Sequence, residues 1–199
     1  MDLTDRFKQA LLLMFELHSD QKRKGTNIPY VSHLLAVTTT VLENGSHEDE
    51  AIAALLHDAA EDAGGKETLT MIRNRFGDQV AHIVEHCSDT LETEKPPWKP
   101  RKEAYLARLS TVNDPAVLLV SLSDKLHNAR SILKDYETFG NELWGRFNAT
   151  DQEILWYYQS LLTIYKSKLQ ICPAYLVDEL GITFKELKSL TIKHKEQAN

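Results

Sequence analysis

The sequence has 199 residues, 42% of them hydrophobic and 26% charged, with a net charge of -6. That is enough apolar material for one compact core, and the acidic balance argues against a nucleic-acid coat protein or a membrane-surface protein. Two cysteines without a CxxC spacing argue against a disulfide scaffold and a thiolate zinc site; no apolar run approaches the length of a membrane span, and Met1–Asp5 lacks the basic start and apolar core of a signal peptide, so a reducing cytoplasm is the expected compartment.

Nearly every segment reads as helix. Leu3, Phe7, Ala10, Leu11, Met14 and Phe15 recur at helical spacing and predict a first helix with these residues on its apolar side. A polar basic loop follows, Asp20-Gln21-Lys22-Arg23-Lys24-Gly25-Thr26-Asn27. Pro29 helps to start a second helix carrying Val31, Leu34, Leu35, Val37 and Val41, which Gly45 ends. Ser46 is the expected cap of the third helix. Two shorter helices follow, one ending near Gly77 and one covering Val80 to Cys87. Asp89 to Pro100 reads as a loop, because its prolines fit neither a helix interior nor a central strand, and helix resumes near Arg101. Asp114-Pro115 opens another helix, and Tyr136 to Asn148 reads as a second irregular region. Thr150 with Glu153, and Thr183 with Glu186, fit the capping box and predict two late helix starts. Ile192 to Asn199 is polar and is expected to fray. Strand signals are nearly absent, so the fold class is all-α. The expected organisation is one domain over 1–170 with a helical extension over 171–199.

The chemistry concentrates in Leu55-Leu56-His57-Asp58-Ala59-Ala60-Glu61-Asp62, where ionisable side chains close an apolar helical run. Buried polar groups of this kind are costly unless compensated, and a bound metal is the simplest compensation. On one continuous helix, His57 and Glu61, like Asp58 and Asp62, would be i and i+4 and share a side. His33 lies on the preceding helix, and Asp124 interrupts a later apolar face with Asn128 one turn on. The competing reading of His33, His57, Asp58 and Asp124 is a satisfied hydrogen-bond network. For Glu61 and Asp62 it is ordinary surface charge, and for Arg23 and Lys24 a solvated basic loop. Trp98 reads first as a packing anchor for its proline-rich loop, with base stacking as the alternative and Arg101 or Lys102 near phosphate. His82 and His86, also i and i+4, read as solvated helix positions, and His18 and His127 as structural or supporting groups. Trp144, Trp156, Tyr157 and Tyr158 read as late-helix core.

In order along the chain stand Arg23-Lys24-Gly25, Ile28-Pro29-Tyr30-Val31-Ser32-His33, His57-Asp58-Ala59-Ala60-Glu61-Asp62, Phe76-Gly77 and Asp124-Lys125-Leu126-His127-Asn128-Ala129-Arg130. This series resembles the HD-domain metal phosphohydrolase superfamily, specifically the hydrolase domain of RelA/SpoT-type alarmone enzymes and their small stand-alone relatives. The resemblance implies that His33, His57, Asp58 and Asp124 hold one divalent metal, with Mn²⁺ the expected ion, and that Glu61 and Asp62 handle the attacking water, in a division left open. It implies Arg23, Lys24, Asn128 and Ser131 as substrate contacts. The implied reaction is hydrolysis of guanosine-3′,5′-bis(diphosphate) at the 3′-pyrophosphate. Alternatives are an HD phosphatase for another nucleotide, such as the 2′-phosphate of NADPH, and a non-catalytic nucleotide-sensing module. The expected partner is a small nucleotide, with neither nucleic acid nor membrane; a homo-oligomer is left open. The sequence has no room for a synthetase domain after the hydrolase region, so hydrolysis alone is expected. The chain departs from the resemblance in the loop before Pro29, which is one residue longer and lacks the usual Gly-acidic pair, so Arg23 aligns only across a gap.

Overall fold

The computed structural model describes residues 1–45 and 47–197, with side chains through His194. Its helices are α1 (Asp5–His18), α2 (Val31–Asn44), α3 (Glu48–Leu56), α4 (Ala59–Asp62), α5 (Gly65–Phe76), α6 (Asp78–Cys87), α7 (Trp98–Thr111), α8 (Pro115–Phe139), α9 (Asp151–Lys166) and α10 (Ala174–Gln197), with a 3-10 helix over Gly140–Arg146. No strand occurs among the described residues, only an isolated bridge between Lys22 and Pro29. No helix among them is long and apolar enough to cross a membrane.

The centre of the fold is α3. Ala51 through Leu56 are fully buried, which is what a helix apolar on all sides requires. Helices α1, α2, α6 and α8 pack around it. Helix α8 runs beside α3 with Val117, Leu118, Val120 and Leu122 fully buried. The Asp114 carboxylate accepts from the Ala116 N–H at 2.9 Å, and Pro115 occupies the first turn. Thr150 and Glu153 form the expected capping box of α9. Helix α10 packs on α8 and α9, with Leu176, Val177, Leu180 and Phe184 in the common core. Both cysteines are free and buried.

Several sequence expectations are corrected. Leu3, Leu11 and Phe15 are exposed, whereas Ala10 and Met14 face inward as expected and Leu13 joins them. The run from Leu11 to Phe15 is apolar all round, so periodicity alone does not select its buried side. Ser46 lies outside the described residues, and the residue that caps α3 is His47, whose N–H donates to Glu50 Oε2 at 3.0 Å. Helix α7 begins at Trp98, not Arg101, because Pro100 falls in the first turn, where its missing N–H costs no bond. Helix α8 continues through Tyr136 to Phe139, since Tyr136 is fully buried against Trp144, with ring centroids 5.2 Å apart. Thr183 opens nothing: its hydroxyl donates to the Glu179 carbonyl at 2.9 Å inside the unbroken α10. Helix continues past Ile192 to Gln197, with His194 Nδ1 3.2 Å from the Tyr136 hydroxyl; Ala198 and Asn199 lie outside the described residues.

Candidate active site

Helix α3 stops at Leu56, and this break shapes the site. His57 (φ -61°, ψ -30°) and Asp58 (φ -96°, ψ -6°) form a turn before the short α4. The expectation of one continuous helix from His57 to Asp62 is therefore corrected. The Asp62 N–H still bonds the Asp58 carbonyl at 2.9 Å, but the turn separates the His57–Asp58 pair from the Glu61–Asp62 pair into two distinct surroundings.

His33 from α2, the His57–Asp58 turn and Asp124 from the middle of α8 converge. His57 Nε2 lies 3.1 Å from Asp58 Oδ2 and 3.7 Å from Asp124 Oδ1. His33 Nε2 lies 3.5 Å and 3.2 Å from the same two oxygens. Both rings are fully buried, yet neither Nε2 has a hydrogen-bond partner. The donor atoms of His33, His57 and Asp58 all lie within 4.8 Å of one another, and Asp124 Oδ1 closes on both imidazoles from α8. A divalent ion with ligands at about 2.1 Å separates neighbouring donors by about 3 Å, so these residues fit one.

Outer contacts fix each donor. His57 Nδ1 donates to the Ala54 carbonyl at 2.8 Å, which fixes the ring with Nε2 toward the cluster. His33 Nδ1 lies 2.8 Å from His127 Nδ1. Burial and the neighbouring His33 push His127 down to about 4, so it is neutral near pH 7 and can accept that hydrogen. The Tyr30 hydroxyl donates to Asp58 Oδ2 at 2.7 Å. Asn128 donates to Asp124 Oδ1 at 2.5 Å and Lys125 to Oδ2 at 2.6 Å. Burial disfavours charge on all of these groups. Against it, His57 and His33 hold Asp58 well below the usual carboxylate range, and Lys125 with the two histidines does the same for Asp124. The two carboxylates in turn raise His57 well above its ordinary value, against its own burial. The cluster is a strong trap for positive charge.

Glu61 and Asp62 sit one turn on and meet quite different neighbours. Lys95 reaches from the α6–α7 loop to both, 3.1 Å from Glu61 Oε1 and 2.8 Å from Asp62 Oδ1. Arg101 donates to Glu61 Oε1 at 3.1 Å, the Asp89 N–H donates to Glu61 Oε2 at 2.9 Å, and Gln21 donates to Asp62 Oδ2 at 2.9 Å. Burial, then the charges of Asp89 and Asp58, raise Glu61 above the ordinary carboxyl value, against the pull of Lys95 and Lys102.

A cavity of about 680 Å³ opens beside the cluster. Arg23, Lys24, Lys102, Lys125, Arg130 and Lys134 line it, with Asp135 as the opposing acid and Trp98, Phe147, Tyr157 and Tyr158 as aromatic walls. A basic cavity on a chain of net charge -6 is a local concentration of positive potential suited to phosphate. Arg23 donates to Asn128 Oδ1 at 2.7 Å and lies over the Tyr30 ring. Asn128 thereby joins the loop to Asp124. Lys24 reaches Asn148 at 3.2 Å. Directly after Lys24, Gly25 takes φ +71°, and a Cβ there would meet the Arg146 side chain at 2.6 Å, so this turn of the longer loop requires glycine. The Ser131 hydroxyl donates to the His127 carbonyl at 3.0 Å and lines the same cavity.

Residues 10–150 match the HD domain family model. The chain belongs to the HD domain family. A guanosine-3′,5′-bis(diphosphate) 3′-pyrophosphohydrolase of Aquifex aeolicus (strain VF5) is 38% identical over 130 residues, 64% of this chain and 18% of that protein. The bifunctional (p)ppGpp synthase/hydrolase SpoT of Escherichia coli (strain K12) is 32% identical over 136 residues, 66% and 18% of the two chains. This HD chain thus spans less than a fifth of the length of these curated relatives. A solved structure described as a metazoan ortholog of SpoT that hydrolyses ppGpp superposes with TM-score 0.73 at 21% identity, covering 94% of this chain and 97% of that one; it establishes the all-helical HD fold. HD domains bind a divalent metal, and the tight donor group His33, His57 and Asp58 is present here.

The HD site also contains residues that sequence reasoning missed. Tyr30 and Lys125 stood inside the quoted motifs, but nothing in their spacing showed that they hold Asp58 and Asp124. Lys95 and Gln21 lie in loops whose path no periodicity predicts. Arg101 and Lys102, of which the alternative reading of the Trp98 loop places one or the other near phosphate, both donate to Asp89, and Arg101 is also engaged with Glu61. Lys102 still lines the cavity. Trp98 packs edge-on against Tyr157, with ring centroids 5.9 Å apart, as an anchor that also forms cavity wall. His82 lies on α6 beside Asp114, at 3.4 Å, away from the donor cluster.

Proposed function

We propose that this chain is a metal-dependent phosphohydrolase that removes the 3′-pyrophosphate of guanosine-3′,5′-bis(diphosphate). The observation that carries the reading is the pair of buried, unpartnered Nε2 atoms facing two carboxylates at the edge of a basic cavity. His33, His57, Asp58 and Asp124 would hold one ion, and their mixed nitrogen and oxygen donors suit Mn²⁺. Such an ion supplies Lewis acidity, lowering the pKa of water and polarising a phosphoryl oxygen.

The chain's own residues do the rest. Glu61 and Asp62 present carboxylate oxygens one turn from the donors, where they orient water and take its proton. Water oxygen attacks the phosphorus on the ribose 3′ oxygen, that P–O bond breaks, and pyrophosphate leaves with the proton returned to the 3′ oxygen. Arg23 and Lys24, with Lys102, Arg130 and Lys134, offset the substrate's phosphate charge. Asn128 and Ser131 are placed to contact the nucleoside. We assign 1–170 as the phosphohydrolase unit and 171–199 as a helical extension packed on or trailing the same domain; the free buried cysteines support a reducing, cytoplasmic setting.

The test is a Mn²⁺-loaded substrate screen reading pyrophosphate against phosphate. Pyrophosphate from the guanosine substrate is expected. Inorganic phosphate from NADPH alone would replace the substrate, and nucleotide binding without turnover would replace the enzyme by a sensing module.

A further inference from the structure

Gln21 is part of the site, yet it neither belongs to the donor cluster nor lines the cavity. Its backbone is pinned on both sides: its N–H donates to the His18 carbonyl at 3.1 Å, and its carbonyl accepts from the Tyr30 N–H at 2.9 Å. Its side chain bridges two groups. Oε1 lies 2.5 Å from His18 Nδ1, and Nε2 donates to Asp62 Oδ2 at 2.9 Å.

The chemistry of an amide makes this bridge directional. One end accepts and the other donates, whereas an ionised carboxylate only accepts. Reversed, the amide would set its oxygen against Asp62. The accepting end therefore faces His18, and His18 Nδ1 must carry a hydrogen. That ring is 1% exposed and stacks on Tyr30 with centroids 5.6 Å apart and planes 25° from parallel. It is a donor fixed by packing. Asp62 is then held on one oxygen by Gln21, which is braced from the protein interior, and on the other by Lys95, whose side chain is 38% exposed and shared with Glu61.

We propose that Gln21, braced by His18, is a positioning residue that sets the plane of the Asp62 carboxylate and so aims it at the attacking water. The inference rests on the reading above that Asp62 handles that water. The Gln21 loop also carries Tyr30, which holds Asp58, so one short segment orients both an expected metal ligand and a water-handling group.

A double-mutant cycle with the Mn²⁺-loaded protein and the guanosine substrate tests it. Gln21→Leu removes both hydrogen bonds, and Gln21→Glu keeps the shape but turns an acceptor toward Asp62. Each lowers kcat by about 10- to 100-fold, the range typical of outer partners of a metal site. KM and bound metal, measured by elemental analysis, stay at wild-type values. In the Asp62→Asn background, Gln21→Leu costs nothing further. The ring ¹⁵N shifts report Nδ1–H at His18 in the wild type and change in Gln21→Leu. Equal loss from Gln21→Leu in both backgrounds overturns the proposal, as does wild-type kcat in Gln21→Glu. Asp62→Asn with wild-type kcat overturns the reading of Asp62 itself and takes this proposal with it. Should Gln21→Leu fail to fold, the near-isosteric Gln21→Glu carries the cycle.

Discussion

The two carboxylate pairs of this site, Asp58 with Asp124 and Glu61 with Asp62, are compensated in opposite ways. Asp58 and Asp124 face two imidazole nitrogens that make no hydrogen bond, and their outer partners grip them from behind. Glu61 and Asp62 are met head-on by the protein's own donors, Lys95, Arg101 and Gln21. In the first pair Lys125 stands beside Asp124, while Asp58 Oδ2 and Asp124 Oδ1 face the two imidazoles; in the second, Lys95 stands beside both carboxylates and Arg101 beside Glu61. A buried carboxylate edge with no cation facing it is disfavoured, so the difference marks the first pair as the one that fits a bound cation.

Breaking the first pair has the largest expected effect. Asp58→Ala removes a ligand oxygen and leaves both imidazoles without that neighbour. Metal affinity is expected to fall by more than the roughly 100-fold typical of outer partners, and turnover with it. Metal content by elemental analysis and pyrophosphate release check this, and a metal-replete, active Asp58→Ala protein would sink the assignment. Glu61→Gln strikes the second pair alone. It is expected to retain metal and lose about 10²- to 10⁴-fold in kcat, the usual worth of general acid–base catalysis. Parallel loss of metal would erase the distinction between the pairs. Tyr30→Phe deletes one hydroxyl behind Asp58; metal affinity is expected to fall about 10- to 100-fold by titration, with Glu61 and Asp62 undisturbed.

The smallest effect is on stability against pH in metal-free protein. His57 has a folded value raised above its unfolded 6.5 by Asp58 and Asp124, despite its burial. Its contribution is therefore complete below about pH 6.5 and lost as pH rises through the folded value, by up to about 1.4 kcal/mol per pH unit for one proton. Thermal melts across that window are expected to show a declining midpoint with rising pH, and added Mn²⁺ to reverse the decline. A flat profile would mean that His57 takes up no proton.

How much of this was legible in the sequence follows the same division. The donors were readable because His33, His57, Asp58 and Asp124 interrupt apolar helical faces in a recognisable order. Asn128 was readable from its i+4 spacing to Asp124. The helix break at His57 was not, because Ala53 to Asp62 carries no proline or glycine to announce it. Lys95 and Gln21 reach Asp62 from segments distant in sequence, along loop paths set by tertiary packing. The exposed side of α1 and the internal Thr183 failed for a simpler reason: a pattern that fits a rule locally does not reveal which neighbour covers it.

The placement of Asp124 halfway along α8 has a consequence for the chain's connectivity. His33 enters from an early helix, His57 and Asp58 from the central one, and Asp124 from a helix that also packs on α10. Ligation at these donors would tie distant stretches of chain into closed loops, much as a cross-link does, and binding energy would become folding energy. Amide hydrogen exchange in α2, α3 and α8 would then slow together on adding Mn²⁺, as one cooperative unit.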